Sequence, residues 1–236
     1  MKKWQDDLLD LVDSAKSARE LFDGLLAITR ELGFEYCAYG IKAPFPISSP
    51  KVTMLNNYPS EWCNRYCENN YVLIDPTVKH AEKSLAPIIW DDDFFASTRD
   101  FWEEAQSYGL RFGLAQSSRD LKGFTGLLTL ARSEDPLDDR ELSALREEMF
   151  WLTQISHLAM SKLLVGQLLP ECEVALTAKE AEVLRWTAEG KTSAEISLIL
   201  QITERTVNYH INNACVKLGA VNRTAAAVRA ALLGLI

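Results

Sequence analysis

The sequence predicts an α+β fold: an N-terminal α/β/α sandwich around a central antiparallel sheet, then a small all-α domain of four helices built on a helix-turn-helix. Three observations carry this. In the first part of the chain short strand-like runs sit between helical patterns at either end, and their connections suit antiparallel pairing. Strand and helix do not alternate regularly and no glycine-rich turn joins them, which excludes a dinucleotide-binding or receiver-type unit. Beyond residue 176 only helical periodicity remains, punctuated by Thr-x-x-Glu starts and glycine stops. The expected boundaries are 1–165 for the sandwich, 166–175 for a linker and 176–236 for the helical domain.

The opening run WQDDLLDLVDSAKSARELFDGLLAITRELG reads as helical, with Leu21, Phe22, Leu25, Leu26, Ile28 and Leu32 at helical spacing and Gly33 as the stop. EYCAYGI and VTMLNN read as strands, separated by KAPFPISSP, whose three prolines cannot continue a helix. Pro59 suits a helix start, so PSEWCNRYCENN is expected to carry Trp62 and Tyr66 on one helical face. DPTVKHAEKS follows as a helix, PIIW as a short strand ending in Trp90, and DFWEEAQSYGL as another helix. FGLAQSS and FTGLLTLAR are the last strands, joined by a polar turn at RDLKG. Pro136 ends the sheet, and LDDRELSALREEMFWLTQISHLAMSKLL is a long amphipathic helix packing over it.

In the C-terminal part, Thr177 with Glu180 and Thr192 with Glu195 form capping boxes, Thr203 caps a third start, and Gly190 and Gly219 are stops. Helices are expected over 178–188, 193–200, 204–218 and 223–233, with QIT as the tight connection of a helix-turn-helix. Val207, Ile211, Ala214 and Leu218 form the buried stripe of the third helix. Its opposite face shows Arg205, Asn208, Tyr209, Asn212 and Lys217, side chains that hydrogen-bond base edges and phosphates in a major groove.

Composition narrows the function. The chain has 236 residues, 47% hydrophobic and 25% charged, the balance of a globular protein rather than a disordered one. Its apolar runs are too short to span a bilayer, and acids occupy the N-terminus where a signal peptide needs an apolar core, so a cytoplasmic protein is expected. Five cysteines, at 37, 63, 67, 172 and 215, contain no CxxC pair and suit a reducing compartment. Three scattered histidines make no metal site, and no cofactor is expected. The net charge of −8 lies entirely in the first 170 residues, which hold 18 Lys and Arg against 26 Asp and Glu, whereas from Thr203 onward four basic residues face Glu204 alone. That local excess is the footprint of a small DNA-binding module.

The segment from LTAKEAEVLRW to AALLGLI closely resembles the DNA-binding domain of LuxR-type transcriptional regulators, including Glu180, Leu184, Gly190 and the recognition helix ERTVNYHINN. Upstream, NYPSEWCNRY, IDPTV, PIIW and FGLAQ stand in the order and spacing of the acyl-homoserine-lactone-binding domain of the family's quorum-sensing members. Tyr58, Trp62, Asp75, Pro76, Trp90 and Gly113 match hallmark positions. The resemblance implies that Trp62 donates its indole N–H to the lactone carbonyl, that Tyr58 donates its hydroxyl to the acyl carbonyl, and that Asp75 accepts the amide N–H. It also implies DNA contacts along Thr192, Thr203, Arg205, Thr206, Asn208, Tyr209, Asn212 and Lys217, made by a homodimer on palindromic double-stranded DNA.

The residues fit such a ligand on physical grounds. A carboxylate inside YVLIDP is expected to be buried, and a buried charge needs donors. Tyrosine and tryptophan combine a large apolar body with one hydrogen bond, as a greasy ligand with a polar head requires. Tyr66, Phe101 and Trp102 would add ring and chain contacts, and the Thr129 hydroxyl a bond to the acyl carbonyl, direct or through water; Ala38 offers none. The alternative for Asp75 is simply to cap the helix beginning at Pro76. Other readings of the whole chain are a redox switch at Cys63 and Cys67, one helical turn apart, and a regulator of the same architecture that needs no ligand or represses. An enzyme acting on the lactone would need a metal cluster, a G-x-S-x-G elbow or a Cys/His pair, and none is recognisable.

Overall fold

A computed structural model describes residues 2–170 and 174–236; Cys172 and the middle of the expected linker lie outside the described residues. Two compact units are present, the first made of Met1–Lys42, Val52–Asp120 and Phe124–Leu164 and the second of Ala43–Lys51, Leu121–Gly123 and Val165–Ile236. The second unit therefore includes two loops that the sequence assigned to the sandwich. Within it the Arg229 guanidinium lies 5.0 Å from the centroid of the Phe45 ring.

In the first unit the opening run forms two helices rather than one, α1 (Lys3–Ser14) and α2 (Ala18–Glu31). The break is chemical. Ser17 adopts an extended conformation and accepts from the Glu20 N–H, while the Glu20 carboxylate accepts from the Lys16 N–H at 2.9 Å, so the local Ser-x-x-Glu starts a new helix. There follow β1 (Tyr36–Lys42), β2 (Val52–Asn56), α3 (Ser60–Glu68), α4 (Pro76–Ala81), β3 (Ile88–Ile89), α5 (Arg99–Ser107), β4 (Phe112–Arg119), β5 (Thr125–Arg132) and α6 (Asp139–Leu168). α6 runs three residues into the stretch expected to be linker, from 166 to 168.

The strands form one antiparallel sheet in the order β2-β1-β5-β4-β3. Side chains alternate across it. One face carries Tyr39, whose hydroxyl lies 2.8 Å from Nδ1 of His157 on α6, and Ser118, which donates to Gln154 of α6 at 2.9 Å. α2 lies on this side too, with its buried Thr29 beside the Cys37 thiol. The other face lies against α3 and α5. The first unit is thus the expected three-layer sandwich, and no helix among the described residues is long and apolar enough to cross a membrane.

The second unit ends in α7 (Ala178–Ala188), α8 (Ser193–Leu200), α9 (Glu204–Lys217) and α10 (Arg223–Leu232), each within one residue of its expected bounds. Val207, Ile211, Ala214 and Leu218 are buried, as the periodicity demands. Between α8 and α9, Gln201 takes the left-handed conformation (φ 53°) that turns the chain.

Candidate functional site

Two cross-strand rows floor the α3/α5 side of the sheet. Tyr36, Ala131 and Gly113 make one, and Ala38, Thr129 and Ala115 the next, since each residue pairs with its neighbour and members of a row share a face. Most are small. Over them, Trp62 of α3 and Phe101, Trp102 and Ala105 of α5 form one buried cluster with Phe95, Leu110 and Ala131, while Tyr36, Tyr58, Tyr66, Tyr71 and Trp90 pack around it. Trp62 is its hub, with the rings of Tyr66, Tyr71, Phe101 and Tyr108 centred 5.6–5.9 Å away.

Asp75 is 8% exposed and does two things at once. Its Oδ1 accepts from the backbone N–H and the hydroxyl of Thr77, at 2.8 and 2.7 Å, and so caps α4. Its Oδ2 accepts from the Tyr66 hydroxyl at 3.0 Å. Capping and pocket readings are therefore compatible, one oxygen serving each. Burial raises the Asp75 pKa above the ordinary carboxylate value, opposed by the donors from Thr77 and Tyr66. Burial likewise holds the Tyr58 and Tyr66 hydroxyls protonated, as donors. Tyr58 stands just before α3, where the Asn56 side chain accepts from its backbone N–H at 3.0 Å.

The remaining expected residues divide. Phe101 and Trp102 are buried, Trp102 stacked on Phe95 at 4.3 Å and donating its indole N–H to Asp92 at 2.8 Å. Trp90 packs edge-on to Trp102, and its indole nitrogen is buried with no hydrogen-bond partner among the described residues. Thr129 is buried on the cluster's side of the sheet. Gly113 is a packing position: a Cβ there would stand 2.7 Å from the Leu130 carbonyl and 2.8 Å from the Trp90 ring, so its lack of a side chain is what seats Trp90. The sequence reading missed Thr77, Tyr71 and Phe95. Thr77 was recognisable as the residue after Asp-Pro at a helix start, whereas Tyr71 and Phe95 lie in irregular turns where periodicity has no purchase.

On α9, Arg205, Asn208, Tyr209 and Asn212 are exposed on one side, the opposite of the buried stripe. Thr192 and Thr203 are the N-caps of α8 and α9, accepting from Glu195 and Thr206 N–H groups, and the Thr203 and Thr206 hydroxyls lie 2.9 Å apart. These threonines orient helix N-termini, where free N–H groups favour anions. Lys217 is placed otherwise than expected. Its Nζ lies 2.7 Å from the carboxylate of Glu180, itself 3% exposed, so its half-buried side chain pairs with α7. Burial alone would raise the Glu180 pKa, but Lys217 and Thr177 outweigh it and hold the carboxyl below its ordinary value.

For the redox reading, Cys63 is half-buried with its thiol donating to Asn56, and burial raises its pKa, with the neighbouring Cys67 adding to the rise. That is the reverse of a reactive thiolate. No cluster of metal-ligating side chains occurs among the described residues.

Comparison with known proteins places both regions. Residues 17–160 match the autoinducer binding domain and residues 174–230 the LuxR family of bacterial regulatory proteins. The transcriptional activator protein AnoR of Acinetobacter nosocomialis is 48% identical over the full length of both chains. A crystal structure of SdiA from Escherichia coli superposes with a TM-score of 0.87 at 33% identity, covering 99% of this chain and 98% of that one. A second SdiA structure, in complex with octanoyl-rac-glycerol, gives 0.85 at 34% identity, covering 98% and 95%.

Proposed function

The chain belongs to the LuxR family of bacterial regulators, with an autoinducer-binding domain ahead of a DNA-binding helix-turn-helix, and from that membership we propose that it is an N-acyl-homoserine-lactone receptor of the cytoplasm that activates transcription as a homodimer on palindromic DNA. The observation that carries the ligand reading is the buried Asp75 carboxylate, held by Tyr66 and Thr77 beside an aromatic cluster that lies over a floor of small residues. Asp75 takes the ligand's amide N–H, Trp62 donates to the lactone carbonyl and Tyr58 to the acyl carbonyl. Tyr66, Trp90, Phe101 and Trp102 enclose the ring and chain, Gly113 seats Trp90, and Thr129 reaches the acyl oxygen. Capped N-termini at Thr192 and Thr203, with Thr206, Arg205, Asn208, Tyr209 and Asn212, form the DNA face. Lys217 supports it through Glu180.

A ligand that fills part of the core stabilises the folded state by mass action, about 2.7 kcal/mol at a hundredfold excess over Kd. Thermal unfolding against acyl-homoserine lactones of graded chain length, with Asp75→Asn alongside, tests this. The expected result is a concentration-dependent rise in Tm for one chain length, lost in the variant. An equal rise in Asp75→Asn would remove Asp75 from the site. The SdiA complex with an acylglycerol favours a second, broader reading, in which any medium acyl chain with a compact hydroxylated head enters. Octanoylglycerol in the same series distinguishes the two, because only the broader site responds to it.

A further inference from the structure

Asn208 does not project freely from α9. The Ser193 hydroxyl, at the first turn of α8, donates to Asn208 Oδ1 at 2.7 Å. Ser193 Oγ in turn accepts from Arg223 of α10 at 3.3 Å, and the same guanidinium donates to the Lys191 carbonyl at 2.9 Å and to Thr187 Oγ1 at 3.2 Å. The Thr187 hydroxyl itself donates to the Val183 carbonyl at 2.9 Å. Ser193, Arg223 and Thr187 thus link the three helices α7, α8 and α10 to Asn208 of α9. The direction is fixed at its source, because a guanidinium can only donate. Ser193 then accepts from Arg223, and its own hydroxyl hydrogen is directed at the Asn208 carbonyl oxygen.

We propose that Ser193 and Arg223 are positioning residues that lock the Asn208 amide with its oxygen toward the protein and its NH2 group toward DNA, making Asn208 a donor-only reader of the major groove. The inference rests on the DNA-binding reading of α9 and deepens it. A free asparagine reads adenine with both halves of its amide, accepting from N6 and donating to N7. With its oxygen turned to Ser193, Asn208 offers its NH2 group to guanine O6 and N7 or thymine O4 ahead of adenine, whose N7 is an acceptor but whose N6 amino group then meets no acceptor.

The test is selection of random-sequence duplexes by the full-length protein, with and without N-octanoyl-homoserine lactone, followed by affinities for every single-base change in the selected half-site. Asn208→Ala identifies the base pair that Asn208 reads. The wild type is expected to select guanine or thymine there. Ser193→Ala should cut discrimination at that one position by roughly fivefold or more, leaving the other positions and the thermal midpoint unchanged. Ser193→Thr, which keeps the hydroxyl, should retain it. Adenine selected at that position, or an unchanged preference in Ser193→Ala, overturns the proposal, as does a loss spread evenly over all positions, which a merely structural role would give. A wild-type protein that selects no duplex in either condition fails the DNA-binding reading itself, and the inference with it.

Discussion

His157 sits on α6 directly over Gly126, where an added Cβ would lie 2.3 Å from its Nδ1, and is 1% exposed. Tyr39, Asp120 and the Phe124 carbonyl are the polar groups around it. Burial lowers its pKa below 6.5, outweighing Asp120 and the Phe124 carbonyl, which pull the other way. The unfolded chain therefore takes up a proton as pH falls through 6.5 while the folded chain resists, and stability declines over that window by up to about 1.4 kcal/mol per pH unit. Urea unfolding at pH 7.5 and at steps down to about 5.5 should show this decline in the wild type and a flatter profile in His157→Gln, whose slimmer amide still accepts from Tyr39. Parallel profiles would assign the acid sensitivity elsewhere. At this scale the sequence was uneven. Asp75 in YVLIDP announced a buried carboxylate, because a charge inside an apolar run has nowhere else to go. Lys217 did not announce its partner, since it flanks the buried stripe of α9 and only the fold decides whether a long side chain turns to solvent or to Glu180.

The helices of the second unit were legible almost to the residue because their ends are written in side-chain chemistry. The Thr177 hydroxyl accepts from Glu180 N–H at 3.3 Å and the Glu180 carboxylate accepts from Thr177 N–H at 2.8 Å. The start at Ser17 is weaker, because its hydroxyl accepts from Glu20 N–H while the Glu20 carboxylate takes the Lys16 N–H instead of closing a box, and it lies inside a long apolar periodicity that reads as continuous helix. The end of α6 was illegible for the opposite reason, as LVGQLL carries no cap and its one glycine is tolerated within the helix. In α7 the box is also a tertiary joint, because Lys217 of α9 reaches the same carboxylate. Thr177→Ala should cost about 1 kcal/mol, and Lys217→Ala more, since it leaves a buried carboxylate without its cation. The Thr177 hydroxyl fixes the start of the helix that holds the Glu180 carboxylate, and Lys217 pairs with that carboxylate, so the two do not act independently. Denaturant unfolding of the double variant should therefore depart from the sum of the single effects by at least about 0.5 kcal/mol. Additivity would show that cap and ion pair are separate.

For the whole molecule, one feature that a single folded chain does not explain is the outer side of α6. Phe150 and Leu158 are 56% and 61% exposed, eight residues apart on one side of a 30-residue helix whose other side is buried against the sheet. Half-buried Trp151 and Ile155 lie between them. Large side chains left in water along one side of a long helix mark a surface that another helix covers. If that helix is the same one in a second copy, the contact is isologous, and a two-fold axis is set before any DNA is present. The two recognition helices can then reach half-sites about one helical turn, roughly 34 Å, apart on a palindrome. Phe150→Lys with Leu158→Lys places two cations on each copy of that surface, where they repel across the axis. Sedimentation velocity with a saturating acyl-homoserine lactone should give a dimer for the wild type and a monomer for the double variant, while the ligand-induced rise in Tm persists. Affinity for a full palindrome should then fall toward that for an isolated half-site. A double variant that remains dimeric would move the two-fold contact to another surface.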